Sequence, residues 1–117
     1  MEKKKIFVCD DDRGILDALE IILALTDASV VSESRSSFAL RRMLDEKPHI
    51  LIVDLWMPEL GGDKLIEHVR NTAELRDMYI ICMSAAQGAK EIAIRAGADK
   101  FLAKPFDMND ILSLVEV

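Results

Sequence analysis

The chain has 117 residues and a formal net charge of −6, with 50% of its residues hydrophobic and 31% charged. The length fits one domain and leaves no room for two. The acidic balance, with a sequence pI near 4.9, excludes a nucleic-acid grip built on clustered lysine and arginine, and the longest apolar run, Met78 to Met83, is far too short to cross a bilayer.

In chain order, short apolar runs alternate with stretches of helical periodicity. Lys3-Lys4-Lys5 forms a solvated entry to a buried strand, Ile6-Phe7-Val8-Cys9. Ile15 to Thr26 reads as a helix, and Ser29-Val30-Val31-Ser32 as a weaker strand. Ser36 to Lys47 is a second helix with Phe38, Leu40, Met43 and Leu44 toward the core. Ile50-Leu51-Ile52-Val53 is a second strongly buried strand. Leu65, Ile66, Val69 and Thr72 fall at helical spacing behind Gly61-Gly62. Tyr79 to Met83 is a further buried strand, and Ala89 to Ala96 a short helix closed by Gly97. Phe101-Leu102-Ala103 is the last strand, followed by a helix from Asp107, its N-cap, to Val115.

These are five β–α units. Strands that are apolar on both faces require a sheet covered by helices on both sides, with right-handed crossovers. The two cysteines, Cys9 and Cys82, lie in apolar runs without metal spacing or a C-x-x-C motif, which fits buried, reduced thiols. With no secretory signal pattern at its start, the chain is expected to be cytoplasmic.

In open α/β sheets, ligands bind beyond the carboxyl ends of the strands. Here those ends carry Asp10-Asp11-Asp12, then Asp54, then Ser84, then Lys104 before Pro105. Two carboxylates about 4 Å apart repel by about 4 kcal/mol at an effective dielectric of 20. Lys104 supplies one positive charge but does not neutralise the cluster. A hard divalent cation with oxygen ligands is the remedy, and Mg²⁺ fits because it accepts few carboxylates and keeps open positions for water or phosphate oxygens. A carboxylate nucleophile, a metal site, a hydroxyl and a lysine together suit phosphoryl transfer. Taken singly, each strand-end Asp or Ser reads more simply as a cap on the following helix.

Four ordered motifs resemble the receiver domains of two-component response regulators, of the chemotaxis-regulator-like kind. Val8-Cys9-Asp10-Asp11-Asp12 is similar to their acidic pair. Asp54-Leu55-Trp56-Met57-Pro58-Glu59-Leu60-Gly61-Gly62 is similar to their D-x-x-M-P-x-x-x-G loop. Met83-Ser84-Ala85 is similar to the hydroxyl motif, and Gly97 to Phe106 to their G-A-D-x-F-L-x-K-P-F ending. The resemblance covers essentially the whole of residues 1–117. It implies a flavodoxin-like (βα)5 doubly wound domain whose five-stranded parallel sheet runs 2-1-3-4-5. Asp54 would be the phospho-acceptor, served by a histidine kinase or histidine phosphotransfer protein. Asp10, Asp11, Asp54 and the backbone carbonyl of Trp56 would hold Mg²⁺. Ser84 and Lys104 would engage the phosphoryl group, and Ser84 with Phe101 would form the switch that alters the surface read by an output domain or downstream protein outside this chain. Monomer and phosphorylation-dependent dimer both stay open.

Some features depart from the family's pattern. Ser84 stands where threonine is more frequent, Trp56 is bulky and Ala86 small at positions that tune phosphate loss, and the stretch from Ser84 to Lys104 is shorter than usual. Asp12 reads as a solvated loop residue, and His49 and His68 have no ligand partners. The first helix is apolar beyond a single core stripe; this reads either as a wide buried face or, as the resemblance implies, as flanking apolar residues that dock a kinase or phosphotransfer helix, with Leu16 the residue to test if it is exposed. Two other readings remain. One is a phosphorylation-independent binding module on the same fold. The other is a haloacid-dehalogenase-type phosphatase reading Asp10-x-Asp12 as its nucleophile motif, against which stand Gly14, the missing cap domain and the idle Asp54.

Overall fold

The computed structural model describes residues 3–116. Ten elements alternate without exception: β1 (Lys5–Cys9), α1 (Arg13–Leu23), β2 (Ser29–Glu33), α2 (Ser36–Glu46), β3 (Ile50–Asp54), α3 (Gly62–Arg70), β4 (Tyr79–Ser84), α4 (Ala89–Ala96), β5 (Lys100–Ala103) and α5 (Met108–Val115). The strands form one sheet in the order β2-β1-β3-β4-β5, and every pairing is parallel.

The alternation of strand side chains explains both layers. Ile6, Val8, Ile50, Ile52, Ile81 and Met83 face one side, where Leu16, Leu19 and Leu23 of α1 and Ile111 and Val115 of α5 cover them. Phe7, Cys9, Leu51, Val53, Ile80 and Cys82 face the other, under Ala39 and Met43 of α2, Leu65, Ile66 and Val69 of α3, and Ala89 and Ala93 of α4. Full burial of each large side chain is worth about 1.5–3 kcal/mol, so both cores resist the burial of charge except at the strand ends. The chain leaves β1 for β2 through α1 and returns to β3 through α2 on the opposite face. The order therefore reverses between β1 and β3, which opens a crevice at their carboxyl ends.

Local boundaries follow from capping. Helix α1 starts at Arg13, two residues earlier than its periodicity suggests, because the Asp12 carboxylate accepts the amides of Gly14 at 2.8 Å and Ile15 at 3.3 Å. Asp12 is thus a helix cap rather than a free loop residue. The helix ends at Leu23; Leu25 and Thr26 belong to a tighter turn bonded back to the carbonyls of Ile22 and Leu23. Gly97 closes α4 at φ 123°, a conformation that favours glycine. Asp107 caps α5 in a reciprocal box with Asp110. One expected core residue is misplaced: Phe38 is 48% exposed, and the Arg35 guanidinium stacks 4.5 Å from its ring centroid. Ala39 and Met43 occupy the inward positions of α2 instead.

Candidate functional site

Asp10 follows β1, Asp54 closes β3, and Lys104 follows β5, so the sheet order sets the two acids on either side of the crevice and sends the lysine in from the edge. The Lys104 ammonium donates to Asp10 Oδ2 and to Asp54 Oδ1, each at 3.0 Å. The other oxygen of Asp10 accepts the Asp12 amide at 2.9 Å. Asp10 is 1% exposed and both of its oxygens are engaged, whereas Asp54 is 7% exposed and only its Oδ1 is held by Lys104. Asp11 is exposed. Carboxylate oxygens of Asp10, Asp11 and Asp54 lie within 4.8 Å of one another.

The electrostatics follow from this geometry. Burial raises the Asp54 carboxyl above the usual carboxylate range, and the charges of Asp10 and Asp11 push the same way, against the hydrogen bond from Lys104. Burial pulls the Lys104 ammonium down, but its bonds to Asp10 and Asp54 and their charges outweigh that and leave its pKa raised. One ammonium among three carboxylates leaves a net negative pocket of hard oxygen donors. That donor set fits a small divalent cation, and the exposed Asp11 leaves a side open to solvent ligands.

The loop after Asp54 is held at both ends. Leu55 donates its amide to the Met83 carbonyl at 2.9 Å, and Gly62 donates to the Leu55 carbonyl at 2.8 Å. The start of α3 comes so close to β3 that a Cβ on Gly62 would stand 2.1 Å from the Asp54 carbonyl oxygen. Only glycine permits that approach.

The sequence model of the response regulator receiver domain matches residues 6–116. The chain belongs to that family. As a receiver domain it resembles response regulator MprA of Mycobacterium avium (31% identical over 111 residues, 93% of this chain and 48% of that protein). It also resembles the alkaline phosphatase synthesis transcriptional regulatory protein PhoP of Bacillus subtilis (26% over 113 residues, 97% and 47%). The chain thus spans about half the length of these curated relatives. Among solved structures, a CheY-like receiver domain protein from Methanospirillum hungatei superposes with a TM-score of 0.88 at 25% identity, covering 98% of this chain and 92% of that one. The receiver domain of the Pseudomonas aeruginosa sensor histidine kinase PA1611, described with a magnesium ion in its active-site cleft, superposes with a TM-score of 0.90 at 22% identity, covering 98% and 96%. The flavodoxin-like architecture expected from the motifs is the one observed.

Hydrogen bonds and close approach join four of the receiver's expected residues, Asp10, Asp11, Asp54 and Lys104. The buried Ser84 hydroxyl accepts the Ala86 amide at 3.0 Å, within its own turn. Phe101 is half-buried against the core on the α2–α3–α4 side, and Trp56 is 56% exposed. His49 sits at the opposite end of β3, where its Nδ1 accepts the Lys5 amide at 2.9 Å. His68 is exposed on α3. Cys9 and Cys82 are buried free thiols, each pushed up to about 12 chiefly by burial. Asp12 as a helix cap and Asp10 with both oxygens bonded leave the phosphatase reading of Asp10-x-Asp12 without a free nucleophile. Two contributors went unread in the sequence, Ser36 and Glu59, which fasten the loop after Asp54 to α2. Their signal is weak, because a serine at a helix start and a glutamate in a loop are ordinary surface choices.

Proposed function

We propose that this receiver domain, taken as residues 1–117, accepts a phosphoryl group on Asp54 from a histidine kinase or histidine phosphotransfer protein in the cytoplasm. The observation that carries the reading is the Lys104 ammonium bridging Asp10 and Asp54 at 3.0 Å each, with Asp11 beside them. Lys104 holds Oδ1 of Asp54 and directs the other oxygen, Oδ2, toward an incoming phosphorus. Attack forms the O–P bond of an aspartyl phosphate and breaks the P–N bond of phosphohistidine, whose imidazole departs with the electron pair. Asp10, Asp11, Asp54 and the Trp56 carbonyl would hold Mg²⁺, which supplies charge neutralisation for the phosphoryl oxygens. Lys104 then pairs with the new phosphate, which carries about −1.5 to −2 charges.

Phosphate at Asp54 gives the Ser84 hydroxyl an acceptor richer than its present local bond. Ser84 turns toward it, Phe101 moves into the space vacated, and the α4–β5–α5 surface repacks for a downstream partner. The stretch between Ser84 and Lys104 carries the eight-residue α4. On α1, Leu16 proves buried at 5% exposure, so it is a core residue and not a docking one; Ile21 of α1 and Leu25 of the turn that follows it, at 72% and 66%, are the apolar side chains presented to a donor protein. Acetyl phosphate treatment, borohydride reduction of the acyl phosphate and peptide mapping test the acceptor. Conversion at residue 54 supports the reading; conversion at residue 10 or 11 overturns it.

A further inference from the structure

The segment between Asp54 and α3 is anchored at its two ends by the Leu55 and Gly62 amides. Its far corner, Pro58-Glu59-Leu60, is fastened by α2. Ser36, the first residue of α2 and 2% exposed, donates its hydroxyl to the Pro58 carbonyl at 2.8 Å and accepts the Leu60 amide at 3.0 Å. Glu59 accepts the Ser37 hydroxyl at 3.0 Å and the Arg35 guanidinium at 2.6 Å. Glu59 does this at φ 72°, a left-handed conformation that side chains rarely adopt.

The arrangement serves both partners. Helix α2 has no side-chain cap of its own, because Arg35 occupies the N-cap position without such a bond. The Glu59 carboxylate places a negative charge at that bare helix start, where the helix dipole favours it. In return, α2 fixes the Pro58–Leu60 turn that directly follows Trp56 and Met57. A buried hydroxyl with both its donor and acceptor roles filled by loop backbone specifies a position, since either group would be costly to leave unpaired.

We infer that Ser36 and Glu59 form a latch between α2 and the loop after Asp54, and that this latch sets the position of the Trp56 carbonyl and hence the affinity of the acidic pocket for Mg²⁺. The inference rests on the proposed metal site. Ser36 and Glu59 touch neither metal nor phosphate; they are positioning residues, and their effect falls on metal binding and not on the chemical step.

The test uses Ser36→Ala, which fits the buried space, and Glu59→Ala, a surface change that leaves folding intact. In the metal-free protein the Leu60 amide, which donates to Ser36 Oγ at 3.0 Å and to the Pro58 carbonyl at 2.9 Å, reports the latch by hydrogen exchange, and Ser36→Ala is expected to raise its rate above the wild-type value while core amides such as Ile52 stay unchanged. Mg²⁺ titration followed by Trp56 fluorescence, with the chain's single tryptophan as reporter, is expected to show affinity weakened about tenfold, the low end for outer-shell partners of metal ligands. Acetyl phosphate labelling is expected to recover to the wild-type maximum at saturating Mg²⁺. Ser36→Thr, which keeps the hydroxyl, is expected to restore affinity. Unchanged Mg²⁺ affinity in both alanine variants, beside a responsive wild type, overturns the latch. A wild type that shows no response to Mg²⁺ overturns the metal site itself, and with it the role given to the latch, while Leu60 exchange still reports whether the contact holds the loop.

Discussion

Asp11→Asn should stabilise the metal-free protein, and Mg²⁺ should narrow or invert that advantage. Asp11 is exposed and makes no ion pair or hydrogen bond among the described residues, yet its carboxylate lies within 4.8 Å of those of Asp10 and Asp54. At 4.8 Å two like charges repel by about 0.9 kcal/mol in bulk water and about 3.5 kcal/mol at an effective dielectric of 20. Lys104 cancels one of the two neighbouring acids, which leaves one net repulsion. Because Asp11 faces solvent and salt screens it, the lower value applies, and the metal-free variant should gain about 1 kcal/mol. For a domain of this size that is a rise of roughly 3–5 °C in Tm. With Mg²⁺ at tenfold its Kd, the wild type gains about 1.4 kcal/mol by linkage, and the variant, short of one ligand, gains far less. Thermal unfolding with EDTA and then with excess Mg²⁺ should therefore show the stability order narrow or invert. A variant less stable than wild type in EDTA, or one stabilised by Mg²⁺ as much as wild type, would refute the reasoning.

Four further outcomes follow from the same pocket. Lys104→Met strips the partner from two buried carboxylates and should cost about 3–5 kcal/mol in EDTA, measured by urea unfolding, with part of the loss recovered on adding Mg²⁺. The raised Asp54 pKa means that this group's contribution to stability is fully present below the ordinary aspartate pKa and is lost as pH rises through its folded value. Labelling by acetyl phosphate runs the other way, falling as pH drops through the raised pKa, and Asp54→Asn should remove its share of the stability slope. The raised pKa of Lys104 contributes stability that is present below the ordinary lysine pKa and lost only as pH rises through its higher folded value. Gly62→Ala sets a Cβ against the Asp54 carbonyl and should cost about 3 kcal/mol or more through overpacking against backbone, seen as a lowered urea midpoint together with weakened labelling.

The parts of this fold legible in the sequence are those governed by periodicity and by strand-end chemistry. Ile50 to Val53 reads as a buried strand because all four residues are apolar, and it is buried throughout. The strand ends carrying Asp10, Asp54 and Lys104 converge because parallel order brings carboxyl ends to one edge. What could not be read depended on contacts between distant segments. Phe38 lies at core spacing, but Arg35 holds its ring at the surface. Leu16 reads as a surplus apolar residue on a crowded helix, yet it is Ile21 and, in the turn after the helix, Leu25 that stay outside. Asp12 belongs to the acidic run by sequence, but two backbone amides claim its side chain. Ser36 and Glu59 are 22 or more residues apart from their loop or helix partners, and no local pattern announces that pairing.

The most direct test of the central claim is intact-mass measurement after incubation with acetyl phosphate, with and without Mg²⁺, beside Asp54→Asn. One added phosphoryl group that requires both Mg²⁺ and Asp54 is the predicted result. A phosphoryl group that still appears on Asp54→Asn, or an unmodified wild type even when offered a phosphohistidine donor and sampled before hydrolysis, would contradict the account.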